Sequence, residues 1–175
     1  MCNITQPQIF RKFFIYTENQ YIMDFRDVKG KKVKLPKDKK YNWRPAVYGV
    51  LIENNKLLFI KPNWDDKYCL PGGSMDLGET TTKSLEREFM EETGYRIKVK
   101  NPDHPYADNF LFGSDKVDQY FQRISLYYEV ERVSKKQSKN LDEETTELHW
   151  EDVNNLSSSD FTFFQRDFLK TILKK

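Results

Sequence analysis

Three glutamates in one short segment are the residues whose types and spacing point most directly to chemistry. Glu88, Glu91 and Glu92 are three and four positions apart, so a helix would carry all three carboxylates on one face. Like charges placed in this way repel each other in water and destabilise the helix. A hard divalent cation reverses that sign, because Mg²⁺ prefers carboxylate oxygens together with water and phosphate. The three residues therefore indicate a metal site, although glutamates on a helix are more often solvated surface.

The loop before this helix favours the metal-site interpretation. Gly72 and Gly73 allow the backbone to run close to a ligand, and Gly78 provides a second turn that leads into the helix. Arg87 can pair with Glu91 or reach back to Glu79 and hold a carboxylate in place. Bare backbone beside carboxylates on one helical face is a plausible platform for a metal ion and a phosphate.

The helices and strands that must position these residues are predicted from the spacing of apolar residues and from the capping and turn residues between them. A helix is predicted over residues 80–93, with Thr80 or Thr81 as its N-cap and Gly94 as a left-handed C-cap. A second helix is predicted over residues 160–173, where Phe161, Phe164, Phe168 and Ile172 recur at helical spacing. The predicted strands are hairpins formed by residues 9–16 with 21–25 and by 44–52 with 56–61, and single strands at 95–100, 119–133 and 147–150. This order indicates a mixed sheet with helices on its faces.

Composition bounds the remaining function classes. The 175 residues suit one compact domain, and a net charge of +2 gives no global electrostatic reason to expect DNA or membrane binding. The lysine-rich run from Lys31 to Lys40 is interpreted as a solvated loop in preference to a polyanion site. Cys2 and Cys69 provide neither a disulfide framework nor a four-ligand zinc site, and Cys69 is interpreted as a small buried hydrophobe. No stretch approaches 18 apolar residues, so the prediction is a cytoplasmic protein without a membrane partner.

The spacing of the glycines, acids and arginine also resembles a known family motif. The pattern Gly73, Glu79, Arg87-Glu88-Phe89, Glu91-Glu92, Gly94-Tyr95 resembles the complete Nudix box, G-x5-E-x7-R-E-U-x-E-E-x-G-U, in which U is a bulky apolar residue. The probability that a chain of this length matches the motif by chance is on the order of 10⁻⁶, as judged from average amino-acid composition. The one departure is Tyr95, an aromatic residue where Ile, Leu or Val is usual. The flanking segments extend the resemblance from about Arg44 to the C-terminus.

The resemblance implies both a fold and a reaction. The implied fold is a Nudix-type α/β/α sandwich with a mixed β-sheet, plus extra N-terminal strands. The implied division is an N-terminal strand extension, residues 1–42, and a Nudix hydrolase domain, residues 43–175. The implied reaction is Mg²⁺-dependent hydrolysis of a phosphoanhydride bond in a nucleoside diphosphate linked to another moiety, with Mn²⁺ as an alternative ion.

Roles for individual residues follow from the same resemblance. Glu88, Glu91 and Glu92 are expected to bind the metal, with the carbonyl of Gly73 as a further ligand. Glu79 and Arg87 are expected to form an orienting pair. Members of the family often use one more acid from a later loop as ligand or general base. The candidates are Glu144 and its neighbour Glu143, with Asp142 and Glu147 as competitors, and an ordinary charged loop is an equally good interpretation.

Substrate contacts are predicted from position alone, and each is weighed against ordinary surface or core. Arg44, Lys61 and Lys67 are placed to approach phosphates, and Trp64 or Tyr68 could stack on a base. Sub-groups of the family are often separated by a residue beyond the box, where this chain has Phe110, Leu111 and Phe112. These match neither the proline of ADP-ribose hydrolases nor the tyrosine of dinucleoside polyphosphate hydrolases. Nucleoside triphosphates, ADP-ribose and nucleotide sugars therefore all stay open as substrates.

Two other functions compete with this one. A non-catalytic Nudix-like domain that binds a nucleotide and regulates another process commonly lacks a box glutamate, whereas this chain keeps all of them. An RNA 5′-end pyrophosphohydrolase would use the lysine-rich run to guide the strand. A small nucleotide is thus the expected partner and nucleic acid the less favoured one. The extra N-terminal strands resemble those that help ADP-ribose hydrolases to dimerise, so a homodimer is expected by analogy.

Overall fold

The computed structural model of the chain describes residues 25–27, 29–34, 38–114, 119–133 and 145–173. The first half of this part holds strands β1 (Asn42–Val50), β2 (Ile52–Glu53), β3 (Lys56–Pro62) and β4 (Gly72–Ser74), followed by helix α1 (Thr81–Thr93). The second half holds β5 (Ile97–Val99), β6 (Tyr106–Ser114), β7 (Gln119–Arg132), β8 (Thr145–Asp152) and helix α2 (Arg166–Ile172). Two 3₁₀ turns, Ser158–Asp160 and Phe163–Gln165, precede α2.

The strands form two sheets. In the larger, mixed sheet, β1 lies between β4, to which it is antiparallel, and β7, to which it is parallel. Strands β6 and β5 pair with successive parts of β7. The smaller sheet is antiparallel, in the order β2-β3-β8.

Helices cover both faces of the larger sheet. Residues alternate between faces along a strand, so Val47 and Tyr48 of β1 point to opposite sides. Val47 packs in one core with Leu85 and Phe89 of α1. Tyr48 packs in the other core with residues of α2 such as Phe168. This arrangement confirms the predicted sandwich of a mixed sheet between helices.

Helix α1 has the predicted boundaries. The Thr80 hydroxyl oxygen accepts a hydrogen bond of 3.3 Å from the N–H of Lys83, and Gly94 ends the helix at a φ of 71°. The helix lies close to β1, because a Cβ on Gly49 would be 2.7 Å from the Phe89 ring. Caps at both ends and a close contact in the middle fix where the carboxylate face of α1 points.

The predicted hairpin between residues 44–52 and 56–61 is correct at its turn but wrong along β1. Strand β1 pairs with β4 and β7, whereas β3 pairs with β2 and β8, so the two strands belong to different sheets. Only Ile52 and Glu53 form a hairpin with β3, through a turn at Asn54 and Asn55. Both asparagines have left-handed φ values, 48° and 64°, as a tight two-residue turn requires. The chain changes sheets at Leu51, and a continuous apolar run does not show this crossing.

The second predicted helix begins later than residue 160. Phe161 is extended, and Thr162 donates its N–H to the carbonyl of Tyr68 at 2.8 Å. Tyr68 in turn donates to the carbonyl of Asp160 at 3.0 Å. The backbone here therefore pairs with the loop before β4, and α2 starts only at Arg166. Strand β6 was also not predicted: it lies between the predicted strands at 95–100 and 119–133.

Most of the expected N-terminal strands lie outside the described residues, including the predicted hairpin except for Phe25. Arg26 pairs with β6: its N–H donates to the carbonyl of Leu111 at 2.9 Å, and its carbonyl accepts from Gly113 at 3.1 Å. No helix within the described ranges is long and apolar enough to span a membrane.

Candidate active site

The candidate site lies where α1 crosses the edge strand β4. Gly72 pairs with Tyr48 and has a φ of 137°, and a Cβ there would lie 2.7 Å from the Tyr48 Cα. Its N–H donates to Glu92 Oε2 at 2.7 Å. At the next residue, a Cβ on Gly73 would lie 2.7 Å from the Glu88 carboxyl carbon. Gly73 thus lets the carboxylate face of α1 approach β4, while Gly72 lets β4 lie close to the backbone of β1.

Arg87 connects the acids of the predicted box. Its guanidinium makes a two-pronged contact with Glu79, with distances of 2.8 Å from Nε to Oε1 and 2.9 Å from Nη2 to Oε2. Nη1 donates to Glu88 Oε1 at 2.8 Å and to Glu91 Oε2 at 3.1 Å. Nη2 also donates to the carbonyl of Ser74 at 3.2 Å. The side chain that links Glu79 to two of the three expected metal ligands is therefore also fixed to β4.

These contacts change the protonation of the pair. The hydrogen bonds from Arg87, followed by the N–H of Asp76, lower the pKa of Glu79 to about 2. The pKa of Arg87 is raised, mainly by the hydrogen bond with Glu79. Glu79 is consequently an anion and Arg87 a cation throughout the physiological pH range.

The donor chemistry around α1 fits a hard divalent cation, since the groups on this face of the helix are carboxylates. The side chain of Glu88 is 15% exposed and that of Glu91 49% exposed, so solvent reaches both. No group of three acidic, histidine or cysteine side chains in the described ranges is already arranged to hold an ion. Instead, Arg87 binds Glu88 and Glu91 while Gly72 binds Glu92. Holding an ion would require the carboxylates to exchange some of these donors for the metal.

The predicted acid from a later loop is only partly visible. Glu144, Glu143 and Asp142 lie outside the described residues. Glu147 lies on β8 opposite Lys61, and its carboxylate is 3.0 Å from His149 Nε2. The partner of Glu147 in this contact is thus a residue of the same strand, β8.

Arg44 is brought to the site. Its Nε donates to the hydroxyl of Ser74 at 2.7 Å, next to Gly73, and its guanidinium lies 5.2 Å from the centre of the Phe121 ring. Arg44 also lines a cleft of about 580 Å³. The other lining residues are Asp38, Lys39, Lys40, Asn42, Trp43, Gln119, Tyr120 and Phe121. Arg44 therefore links β4 to a cleft with cationic and aromatic walls.

Trp43 was not predicted as a functional residue, although it is 68% exposed at this cleft. An exposed tryptophan beside cationic side chains can stack on a planar ligand. Its sequence context, between Asn42 and Arg44 at the start of a strand, carried no signal that distinguished it from a buried residue.

The remaining predicted substrate residues lie together elsewhere. Tyr68 packs on Phe59, with ring centres 4.7 Å apart, and Lys61 lies 5.6 Å above the Tyr68 ring. Trp64 is 45% exposed and stacks on Phe164 at 6.2 Å. Tyr68 is thus mainly a core-edge residue, whereas Trp64 presents an exposed aromatic surface.

Arg123 and Tyr48 are the polar residues of this region that sequence reasoning missed. Arg123 Nη1 lies 2.7 Å from the Tyr48 hydroxyl. Its guanidinium is 5.4 Å from the Phe121 ring and 5.2 Å from the Phe164 ring. Because Phe121 also contacts Arg44 and Phe164 also contacts Trp64, these rings connect the two groups of predicted substrate residues. Burial raises the pKa of Tyr48 to about 12, against an opposing effect of Arg123, so its phenol is neutral.

Cys69 is buried, and burial raises its pKa. Its sulfur lies 3.5 Å from the Thr162 hydroxyl. This confirms the interpretation as a small buried side chain.

Comparisons with known proteins agree with this geometry. The family model described as NUDIX domain matches residues 42–172. An ADP-ribose pyrophosphatase of Methanocaldococcus jannaschii is 46% identical over 59 residues, 32% of this chain and 35% of that protein. A MutT-like protein of Streptomyces ambofaciens is 40% identical over 55 residues, 31% of this chain and 36% of that protein. Both matches thus span about a third of the relative's length.

A solved NUDIX hydrolase from Nitrosomonas europaea has the same fold. It superposes with a TM-score of 0.58 at 19% sequence identity, covering 87% of this chain and 91% of that protein.

Proposed function

Because the chain belongs to the NUDIX domain family, we propose that it hydrolyses, with Mg²⁺ bound, a phosphoanhydride bond in a nucleoside diphosphate linked to another moiety. The observation that carries this proposal is the carboxylate face of α1 held against Gly72 and Gly73 of β4, with Arg87 connecting its acids. Carboxylates that repel each other but are kept together can bind a divalent cation, and that cation would neutralise the phosphates of a substrate.

In this proposal Glu88, Glu91 and Glu92 hold the metal, and the Gly73 carbonyl is a further ligand. Mg²⁺ would supply charge neutralisation for the diphosphate and would lower the pKa of an attacking water, and Mn²⁺ can supply the same chemistry. Arg87 keeps the carboxylates of Glu88 and Glu91 in place, and Glu79 fixes the Arg87 guanidinium through two hydrogen bonds.

A general base would then take a proton from the attacking water. Glu144 stays our candidate for this role, because the chain returns from that residue into β8. The proposal does not depend on Glu144, since one of the glutamates on α1 can take the proton instead.

The cleft beside Arg44 is the proposed place for the rest of the nucleotide. Its cationic residues suit phosphate oxygens, and the exposed ring of Trp43 suits a base. The name of the M. jannaschii relative supports ADP-ribose as one substrate to test, alongside nucleoside triphosphates and nucleotide sugars. The expected partner is therefore a small nucleotide.

The test is a panel of substrates incubated with the purified protein, with Mg²⁺ or Mn²⁺ present or chelated, and products identified by mass. The panel contains ADP-ribose, NADH, nucleoside triphosphates, a dinucleoside polyphosphate, a nucleotide sugar and a 5′-triphosphate RNA. Metal-dependent cleavage of one compound into two phosphate-bearing products would support the proposal and identify the substrate class. A folded protein that binds a nucleotide but cleaves no compound would refute it and favour a regulatory domain.

A further inference from the structure

Arg123 is a half-buried cation without an acidic partner in the described part of the chain. Its acceptor there is the neutral phenol of Tyr48, and its Nε is buried with no acceptor. A guanidinium has five N–H donors, and burying it without a counter-ion is unfavourable. Such an arrangement is expected when a bound anion supplies the missing acceptors.

The aromatic contacts of Arg123 fix its position without using these donors. The Phe121 and Phe164 rings both lie within 5.4 Å of the guanidinium carbon. A ring face stabilises the positive charge, but it does not replace oxygen acceptors in the plane of the guanidinium. The rings therefore hold the guanidinium in place without satisfying its remaining N–H donors.

The position of Arg123 relates it to the candidate active site. Arg123 of β7 is in register with Arg44 of β1, so both side chains start from the same face of the sheet. Both guanidinium groups also lie over the Phe121 ring. Arg44 reaches Ser74, the residue after Gly73, through its hydrogen bond of 2.7 Å.

Tyr48 provides a second connection. Its hydroxyl is bound to Arg123, and its backbone pairs with Gly72, whose N–H is bound to Glu92. A ligand anion at Arg123 would consequently be connected through Tyr48 and β4 to Glu92, one of the residues proposed to bind the metal.

We propose that Arg123 binds a phosphate group of the nucleotide substrate, using the Nη N–H groups that Tyr48 does not occupy. The planar guanidinium suits two oxygens of one phosphate, and Arg44 would contact the same group or its neighbour. This inference rests on the proposed function for the class of ligand, a nucleoside diphosphate moiety, and adds a residue that recognises it.

The test is isothermal titration calorimetry with ADP and with adenosine, in EDTA, on the unchanged protein and on Arg123→Gln. Loss of a charge-assisted hydrogen bond to phosphate should weaken ADP binding by roughly 10- to 100-fold. Adenosine has no phosphate, so its affinity should change by less than about twofold. Arg123→Lys keeps the positive charge but lacks the planar group that can bind two phosphate oxygens, so its loss of ADP affinity should be intermediate.

Arg132→Gln is the matched control, because Arg132 lies on the same strand but pairs with Glu53 at 2.7 Å. It should bind ADP like the unchanged protein. Circular dichroism and thermal melting check the fold of each variant. If Arg123→Gln does not fold, Arg123→Lys decides, and unchanged ADP affinity in that variant overturns the inference.

Three other results would also overturn it. These are ADP affinity in folded Arg123→Gln equal to that of the unchanged protein, equal losses for ADP and adenosine, and no ADP binding by the unchanged protein. Because binding is measured without metal or turnover, the outcome is independent of the proposed reaction. ADP binding that depends on Arg123, with no hydrolysis of any panel compound, would retain the anion site and refute the hydrolase.

Discussion

Glu91 and Glu92 are neighbours in sequence but are held by different donors. Glu91 accepts a hydrogen bond from Arg87, and Glu92 accepts one from the N–H of Gly72. Replacement by Gln keeps an acceptor oxygen and the side-chain volume but removes the charge that a cation needs. We therefore expect Glu91→Gln and Glu92→Gln each to lower kcat by roughly 10²-fold or more while the urea unfolding midpoint changes little.

Glu86→Gln is the control for these variants, because Glu86 lies on the same helix with its carboxylate 2.6 Å from Lys83 Nζ. Its kcat should stay close to that of the unchanged protein. Full activity in either Glu91→Gln or Glu92→Gln would contradict the proposed metal site.

The pair of Glu79 and Arg87 predicts a specific dependence of stability on pH. A carboxyl group with a lowered pKa adds stability that is fully present above its ordinary pKa of 4.5 and is lost as the pH falls towards its folded value of about 2. The difference in urea midpoint between the unchanged protein and Glu79→Gln should thus be constant above about pH 5 and shrink towards pH 2.

Arg87→Gln removes the main cause of the lowered pKa of Glu79. The difference in urea midpoint between Arg87→Gln and the unchanged protein should therefore also shrink between about pH 5 and pH 2. Urea titrations at closely spaced pH values measure both curves. A difference between the unchanged protein and Glu79→Gln that stays constant down to pH 2 would show that the ion pair does not stabilise the fold.

Residues of the candidate site differ in how well the sequence could predict them. Glu88, Glu91 and Glu92 share one helix, so their common face follows from helical spacing alone. Arg123 meets Tyr48 across a pairing of strands 75 positions apart, and Phe164 adds a third segment. No local pattern encodes such a meeting, and a lone arginine on a strand is indistinguishable in sequence from an exposed one.

The same distinction holds for whole elements. Helix α1 was predicted with its caps, because Thr80 and Gly94 act within one turn of the helix ends. The predicted hairpin was wrongly extended along β1 because β1 and β3 are both apolar and adjacent in sequence, while their long-range partners are β7 and β8. Helix α2 starts late because Thr162 bonds to Tyr68, a partner outside its own segment.

The crossing of α1 and β4 gives a prediction at the scale of the element. A Cβ at Gly73 would meet the Glu88 carboxylate, which is the flexible end of a side chain, so that carboxylate shifts instead of the backbone. Gly73→Ala should therefore change the free energy of unfolding by less than about 1 kcal/mol. It should lower kcat by roughly 10- to 100-fold, because a small displacement of a positioned group is costly to catalysis.

Gly72→Ala is the informative contrast. Its φ of 137° is unfavourable for alanine, and its Cβ would meet the backbone of Val47 and Tyr48. This variant should lose more stability than Gly73→Ala in urea titrations. If Gly73→Ala instead kept full activity, the close approach of Glu88 to β4 would have no functional role.

At the scale of the whole molecule, the two sheets share their hydrophobic cores. One core combines Ala46 and Tyr127 of the larger sheet with Leu57 and Phe59 of the smaller one. The other combines Val47 and Leu85 with Leu58 of β3. Neither sheet can therefore expose its inner face without opening a core of the other, and the described domain should unfold as one cooperative unit.

Phe161 offers the sharpest test of this cooperativity. Its side chain is fully buried, with its ring centre 5.4 Å from that of Phe59 in β3, and its backbone pairs with Tyr68 before the chain enters α2. Phe161→Ala should lower the free energy of unfolding by about 3–5 kcal/mol, and Phe161→Leu should lower it by less, because it leaves a smaller cavity. The far-UV circular dichroism signal reports on backbone structure throughout the molecule, and tryptophan fluorescence reports on both sheets through Trp43 and Trp150. In urea both signals should shift to the same lower midpoint in each variant. Separate midpoints for the two signals would mean that one sheet can unfold while the other stays folded. In that case the shared cores do not couple the larger sheet to the smaller one.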